Sequence, residues 1–253
     1  MSLNEAAYIL DPALWAREVL GLHPDPWQSE VLRSDAKRIL LCCSRQSGKS
    51  TITSALALHV AIYRPGSLVL CLSPTLRQSG ELFHNITRFY GIVAGKFPAA
   101  AESALRLELE NGSRIISLPG QEQNVRGYAG VSLLVVDEAA RVPDDLYYSV
   151  RPMLAVSGGR LIALSTPFGK RGWFWREWVE GQGWERHKIT AAECPRISPE
   201  FLEEERRSMP AAWFAAEYMC EFTEAVDNVF SFDQIAAAVT DEVEPLFGVN
   251  NNV

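Results

Sequence analysis

Residues 43–51 read Cys43-Ser44-Arg45-Gln46-Ser47-Gly48-Lys49-Ser50-Thr51 and join the apolar run ILLCC to the helical run ITSALALHV. A strand that turns into a helix through Gly-Lys-Ser restricts the architecture more than any other feature of the chain, because backbone N–H groups at such a helix start cradle phosphate. The segment matches G-x-x-x-x-G-K-[ST], except that Cys43 stands where the first glycine is usual. The pattern predicts that Lys49 neutralises β- and γ-phosphates and that the Ser50 hydroxyl ligates Mg²⁺. Ser44, Arg45, Gln46, Ser47, Gly48 and Thr51 complete the expected phosphate-binding loop.

The rest of the chain supports that context. From Arg38 onward, short apolar runs (ILLCC, SLVLCL, RIISL, SLLVVD, RLIALS) alternate with helical stretches. This is the signature of an α/β fold, a mainly parallel sheet flanked by helices. RLELENGSRIIS alternates with period two around Asn111-Gly112 and predicts a hairpin. Residues 1–36 read as helical, interrupted by Pro12, Pro24 and Pro26. After Pro167 the pattern changes to a Trp-rich helix, a strand WERHKI and a helical region from Ser198 to Phe222, expected to form a small C-terminal subdomain on the core. The division expected is an N-terminal helical segment over 1–36, an ATPase core over 37–190 and a lid-like subdomain over 191–253.

A second site signal is Asp137-Glu138 at the end of the apolar run SLLVV, where the carboxyl edge of a parallel sheet collects ligand groups. Beside a phosphate loop, Asp137 is expected to hold the Mg²⁺ water shell and Glu138 to polarise the water that attacks the γ-phosphate. The alternative is that both acids cap the following helix. Gln28, in Pro26-Trp27-Gln28, carries an amide that donates and accepts at once, as reading an adenine edge requires; a plain surface glutamine is the competing reading. Thr166, in Ser165-Thr166-Pro167, is placed to sense the γ-phosphate or attacking water, or forms a simple strand-end turn.

These residues together resemble the large terminase subunits of tailed bacteriophages and related viruses, the motors that package double-stranded DNA, over about Pro24 to Phe222. The glycine-poor SRQSGKST loop resembles the family's variant phosphate loop, PDPWQ its adenine motif, LLVVDEAA its Mg²⁺ and catalytic-glutamate motif, and ALSTP its coupling motif. The resemblance implies a P-loop NTPase of the additional-strand type, ATP as substrate with Mg²⁺, and assembly into a homo-oligomeric ring. It also implies double-stranded DNA, a portal protein and a small terminase subunit as partners, in the infected cytoplasm and transiently at the procapsid. In such a ring an arginine reaches the neighbour's ATP; Arg126, in Asn124-Val125-Arg126-Gly127-Tyr128, is the position expected for it, with Arg45 competing from within the same subunit. Members usually continue into a nuclease domain, and a short segment follows Phe222 here, so no nuclease activity is expected of this chain.

Net charge of −7 argues against a uniformly basic coat for nucleic acid and leaves a local basic stripe open. Arg106, Arg114, Lys170, Arg171 and Arg176 are candidate phosphate contacts, although Trp173, Trp175 and Trp178 among them read as packing residues. The five cysteines and four histidines lack metal-ligand or disulfide spacing, so no zinc and no oxidised framework are expected. No apolar run reaches bilayer length. Two other functions fit parts of the pattern. A helicase-like ATPase would share the loop after SLVLCLSPT but needs two tandem cores. An ATP-dependent assembly switch would not need Glu138 beside Asp137.

Overall fold

The computed structural model describes residues 3–120, 125 and 127–223. Its centre is a sheet that runs, across the described residues, in the order β3-β4-β5-β2-β6-β7-β1-β8. The strands are β1 (Arg38–Cys43), β2 (Leu68–Ser73), β3 (Ala99–Ser103), β4 (Arg106–Leu109), β5 (Arg114–Pro119), β6 (Val131–Asp137), β7 (Arg160–Ser165) and β8 (Glu185–Ile189). From β5 to β8 all neighbours are parallel, and the β3–β4 and β4–β5 pairs at the other edge are antiparallel. Parallel strands are covered on both faces, so they appear as unbroken apolar runs. Along β1, Ile39, Leu41 and Cys43 enter one core while Leu40 and Cys42 enter the other. β6 does the same, with Leu133 and Val135 on one side and Leu134 and Val136 on the other.

The first core is closed by α1 (Leu3–Leu10), α2 (Pro12–Glu18), α3 (Pro26–Arg33), α4 (Lys49–Tyr63) and α5 (Leu76–Val93). α4 is buried along nearly its whole length, from Ile52 to Ile62, which is why its sequence is apolar all round. His59 sits inside this core, its ring against Trp15 and Tyr63 and its Nε2 2.8 Å from the Tyr8 carbonyl. Burial pushes His59 down to about 4, so the ring is neutral and donates Nε2–H to that carbonyl. The second core is closed by α6 (Asp144–Val150) and α7 (Gly172–Val179). There Trp173 stacks on Tyr147 with centroids 3.9 Å apart and donates Nε1–H to the Val142 carbonyl. Trp173 is thus the packing residue its spacing predicted.

Two elements differ from expectation. The segment after Pro167, expected as a small subdomain packed on the core, contributes to the sheet itself: β8 pairs in parallel with β1, and Trp173 and Phe174 are buried in the second core. β3 was not foreseen, since AAAES has no strand pattern of its own; it forms against β4. The predicted hairpin at Asn111-Gly112 is present as β4–β5, with Gly112 at φ +82° and the Asn111 amide donating to the Ala61 and Ile62 carbonyls. Beyond β8 lie α8 (Pro199–Ser208) and α9 (Ala211–Glu217). Among the described residues no helix is long and apolar enough to cross a membrane. All five cysteines are buried and free.

Candidate nucleotide site

β7 lies between β1 and β6, in register with both: Cys42 faces Ser165, and Leu164 faces Asp137. The carboxyl ends of three adjacent strands therefore deliver residues 44–48, Thr166 and Asp137-Glu138 to one edge of the sheet. The loop between β1 and α4 is fixed from several sides. Ser44 N–H donates to the Ile189 carbonyl and Arg45 N–H to the Glu217 carbonyl. Ser47 Oγ donates to the Ser44 carbonyl at 2.9 Å. Gln46 (φ +59°) and Gly48 (φ +85°) take left-handed backbone. The N–H groups at the start of α4 have no intrahelical partner, as at any helix start.

Lys49 is buried, with Nζ 3.9 Å from Glu138 Oε1. Ser50 Oγ lies 3.3 and 3.4 Å from the two Asp137 carboxylate oxygens. One hydroxyl and one carboxylate converging beside the β1–α4 loop are oxygen donors of the kind Mg²⁺ accepts, and few protein ligands suffice for that ion. Burial first, and the Glu138 charge second, push the Asp137 carboxyl up to about 6. Glu138 follows in left-handed backbone (φ +48°) and makes no side-chain cap on the short 3-10 turn Ala139–Arg141. The capping alternative for Glu138 is therefore not what its side chain does.

Gln28 is buried, and both ends of its amide are used within the protein. Oε1 accepts from Asp25 N–H at 2.9 Å in a capping box at the start of α3, and Nε2 donates to the Ser47 carbonyl at 3.1 Å. Gln28 thus ties α3 to the loop between β1 and α4. It also lines a cavity of about 270 Å³ with Leu22, His23, Pro24, Gly48, Thr51 and Arg196. Arg45 is bound by Glu217 of α9, Nε to Oε2 at 2.6 Å. Thr166 is buried, its Oγ1 3.4 Å from Arg141 Nη1. Arg126 lies outside the described residues.

Three charged residues at this edge escaped the sequence reading. Arg196 donates to both Asp25 carboxylate oxygens, at 3.0 and 2.7 Å, and to the Ser47 carbonyl at 2.9 Å. Arg141 donates to Glu138 Oε2 at 2.9 Å and lies over the Phe168 ring. Glu217, 7% exposed, lies between Arg45 and Arg141. Arg141 had a local signal, three residues after Glu138 in Asp-Glu-Ala-Ala-Arg; the other two had none.

Residues 40–237 match the protein family described as Terminase large subunit, T4likevirus-type, N-terminal. A curated relative, the terminase large subunit of Thermus virus P23-45, is 29% identical over 252 residues, covering 85% of this chain and 52% of its own. The large terminase ATPase domain of Thermus phage P74-26 superposes with a TM-score of 0.75 at 26% identity, over 85% of this chain and all of that domain. The HK97 bacteriophage large terminase shares the fold, with a TM-score of 0.69 at 12% identity over 87% of this chain and 55% of that one. The chain spans about half the length of the curated relatives it matches.

Proposed function

Given that this chain belongs to the family of terminase large subunits of T4-like-virus type, in their N-terminal part, we propose that it hydrolyses ATP to drive double-stranded DNA into a capsid. The observation that carries the proposal is the convergence at one sheet edge of Lys49 with Glu138, at 3.9 Å, and of Ser50 with Asp137, at 3.3 Å. A nucleotide switch needs Lys49 and the Ser50 hydroxyl; a carboxylate placed as Glu138 is suits hydrolysis. The insertion of β7 between β1 and β6 supports the additional-strand type of P-loop fold.

In the proposed cycle the triphosphate lies across residues 44–51, and the base enters the cavity beside Gln28 and Thr51. Lys49 moves from Glu138 to the β- and γ-phosphates. Ser50 and Asp137 would hold Mg²⁺, which would neutralise phosphate charge. Glu138, released from Lys49, orients the attacking water, and Thr166 stands beside it on the neighbouring strand end. Arg126 from an adjoining subunit, or Arg45 in cis, completes the charge stabilisation. The homo-oligomeric ring, the portal and the small terminase subunit are the partners proposed, and a lid role is proposed for the 191–253 region, of which residues 224–253 lie outside the described residues.

Lys49→Ala should weaken ATP binding, and Glu138→Gln should keep binding and lose turnover. Equal loss of binding in both variants would contradict this division of roles. Turnover per chain measured across protein concentration, with Arg126→Ala in parallel, separates the two arginines: activity that rises with concentration and vanishes in Arg126→Ala assigns the site to two subunits. Flat activity with a silent Arg126→Ala leaves Arg45.

A further inference from the structure

Glu217 and Arg141 take no part in the cycle above, yet they connect its parts. The Glu217 carboxylate, at the end of α9, accepts from Arg45 Nε at 2.6 Å, and its Oε1 lies 3.6 Å from Arg141 Nη2. Its main-chain carbonyl also accepts from Arg45 N–H at 3.1 Å. The other arm of Arg141, Nη1, donates to Glu138 Oε2 at 2.9 Å and reaches Thr166 Oγ1 at 3.4 Å. The result is a row of alternating charge: Arg45, Glu217, Arg141, Glu138, Lys49. A carboxylate as buried as Glu217 is costly to leave unpaired, so where α9 docks, both guanidinium groups are drawn to it.

We propose that Arg141 and Glu217 are positioning residues for hydrolysis: Glu217 anchors Arg141, and Arg141 fixes Oε2 of Glu138 so that Oε1 faces Lys49 and the reacting phosphate. This rests on Glu138 being the group that orients water. A carboxylate held at one oxygen keeps a single geometry when Lys49 leaves the other; unheld, it rotates. The planar guanidinium suits the task because its two arms reach two carboxylates at once. The docking of α9 thereby sets the aim of a carboxylate two ion pairs along the row.

The test is steady-state turnover, ATP affinity and melting temperature of the full chain carrying Glu217→Gln, Arg141→Gln, Arg141→Lys or the double Glu217→Gln/Arg141→Gln change. Misplacing a reacting group by about 1 Å costs up to ~100-fold, so kcat should fall at least ~10-fold in each Gln variant while KM and ATP affinity hold within about twofold. Arg141→Lys should recover little, since an ammonium cannot bridge both carboxylates. The double variant should be no slower than Arg141→Gln alone, because both changes act through one contact. Wild-type or raised kcat in Arg141→Gln, multiplied losses in the double variant, or a loss that appears in KM and affinity instead would each overturn the inference. If Glu217→Gln fails to fold, Arg141→Gln decides, since it leaves the buried Glu217 paired with Arg45. Glu138→Gln run alongside separates the layers: an active Glu138→Gln refutes the underlying assignment, whereas an inactive Glu138→Gln beside a fully active Arg141→Gln refutes the positioning role only.

Discussion

Replacing Gly48 by alanine tests whether the β1–α4 loop and α3 form one unit. Gly48 has φ +85°, and a Cβ built there lies 2.8 Å from Gln28 Nε2 and 3.5 Å from Arg196 Nη2. The left-handed backbone alone costs an L-residue about 1–2 kcal/mol. The Gln28 amide must also withdraw, and its bond to the Ser47 carbonyl contributes about 1 kcal/mol. Against this, alanine restricts the unfolded chain and returns about 0.4–1 kcal/mol. The net expectation is a loss of about 1–2 kcal/mol, which for a domain of this size lowers the melting temperature by roughly 3–6 °C.

Calorimetric melting and nucleotide titration measure the two consequences together, and displacement of the Ser47 carbonyl should weaken ATP binding about tenfold, or ~1.4 kcal/mol. The informative control is Gln28→Ala, which removes the obstructing amide. In that background Gly48→Ala should cost about 1 kcal/mol less, leaving mainly the backbone term. An identical cost in both backgrounds would mean that Gln28 does not brace the loop, and the account of its amide given above would be wrong.

Three further outcomes are expected. Asp137 sits with its carboxyl raised from 3.8 to about 6, so in metal-free protein it favours folding below about pH 4 and that contribution is lost as pH rises through 6. Asp137→Asn should therefore raise the melting temperature of metal-free protein at pH 8, by up to ~3 kcal/mol of stability, and abolish Mg²⁺-dependent turnover; an unchanged pH–stability slope would refute the assignment. Trp173→Ala removes a 1% exposed ring stacked on Tyr147 and should cost about 3–5 kcal/mol without altering ATP affinity below its melting temperature, as read by denaturant unfolding. Arg196→Met breaks a half-exposed pair with Asp25 worth about 1 kcal/mol at most, so its larger effect should be a several-fold loss of ATP affinity through the Ser47 carbonyl, which is then held by the Gln28 amide alone of these two donors; titration of Asp25→Asn should reproduce part of it.

What the sequence could convey depended on how far apart the interacting residues lie. The strands β1, β2, β6 and β7 are buried on both faces, so each was legible as an apolar run, and the loop after β1 carries its chemistry within a few residues. The capping box at Asp25 and Gln28 is equally local, although its second use, bracing Ser47, spans 19 residues. β8 is an edge strand with exposed Arg186 and Lys188, and nothing in ERHKI announces that it pairs with β1 rather than with a separate subdomain. Arg196 meets Ser47 across 149 residues, and Glu217 meets Arg45 across 172. No periodicity or spacing rule connects such pairs; only the parallel sheet, by bringing the chain after β8 back over β1, does so.

The charges at this edge are closely matched before any nucleotide is considered. Lys49 and Arg141 share Glu138, Arg141 and Arg45 share Glu217, and Arg196 is held by Asp25. A triphosphate entering the loop brings several negative charges to a place where every one of these cations already has a carboxylate. Binding must therefore draw cations away from acids. In the proposed cycle Lys49 is the one to go, because its contact is the longest at 3.9 Å and it is the residue that opens α4 at the loop. Arg141 is held by Glu217 as well as Glu138 and by the face of Phe168, so it stays. In the proposed cycle the redistribution that admits the nucleotide would free one oxygen of Glu138 and keep the other fixed, which is the condition the proposed water-orienting role requires.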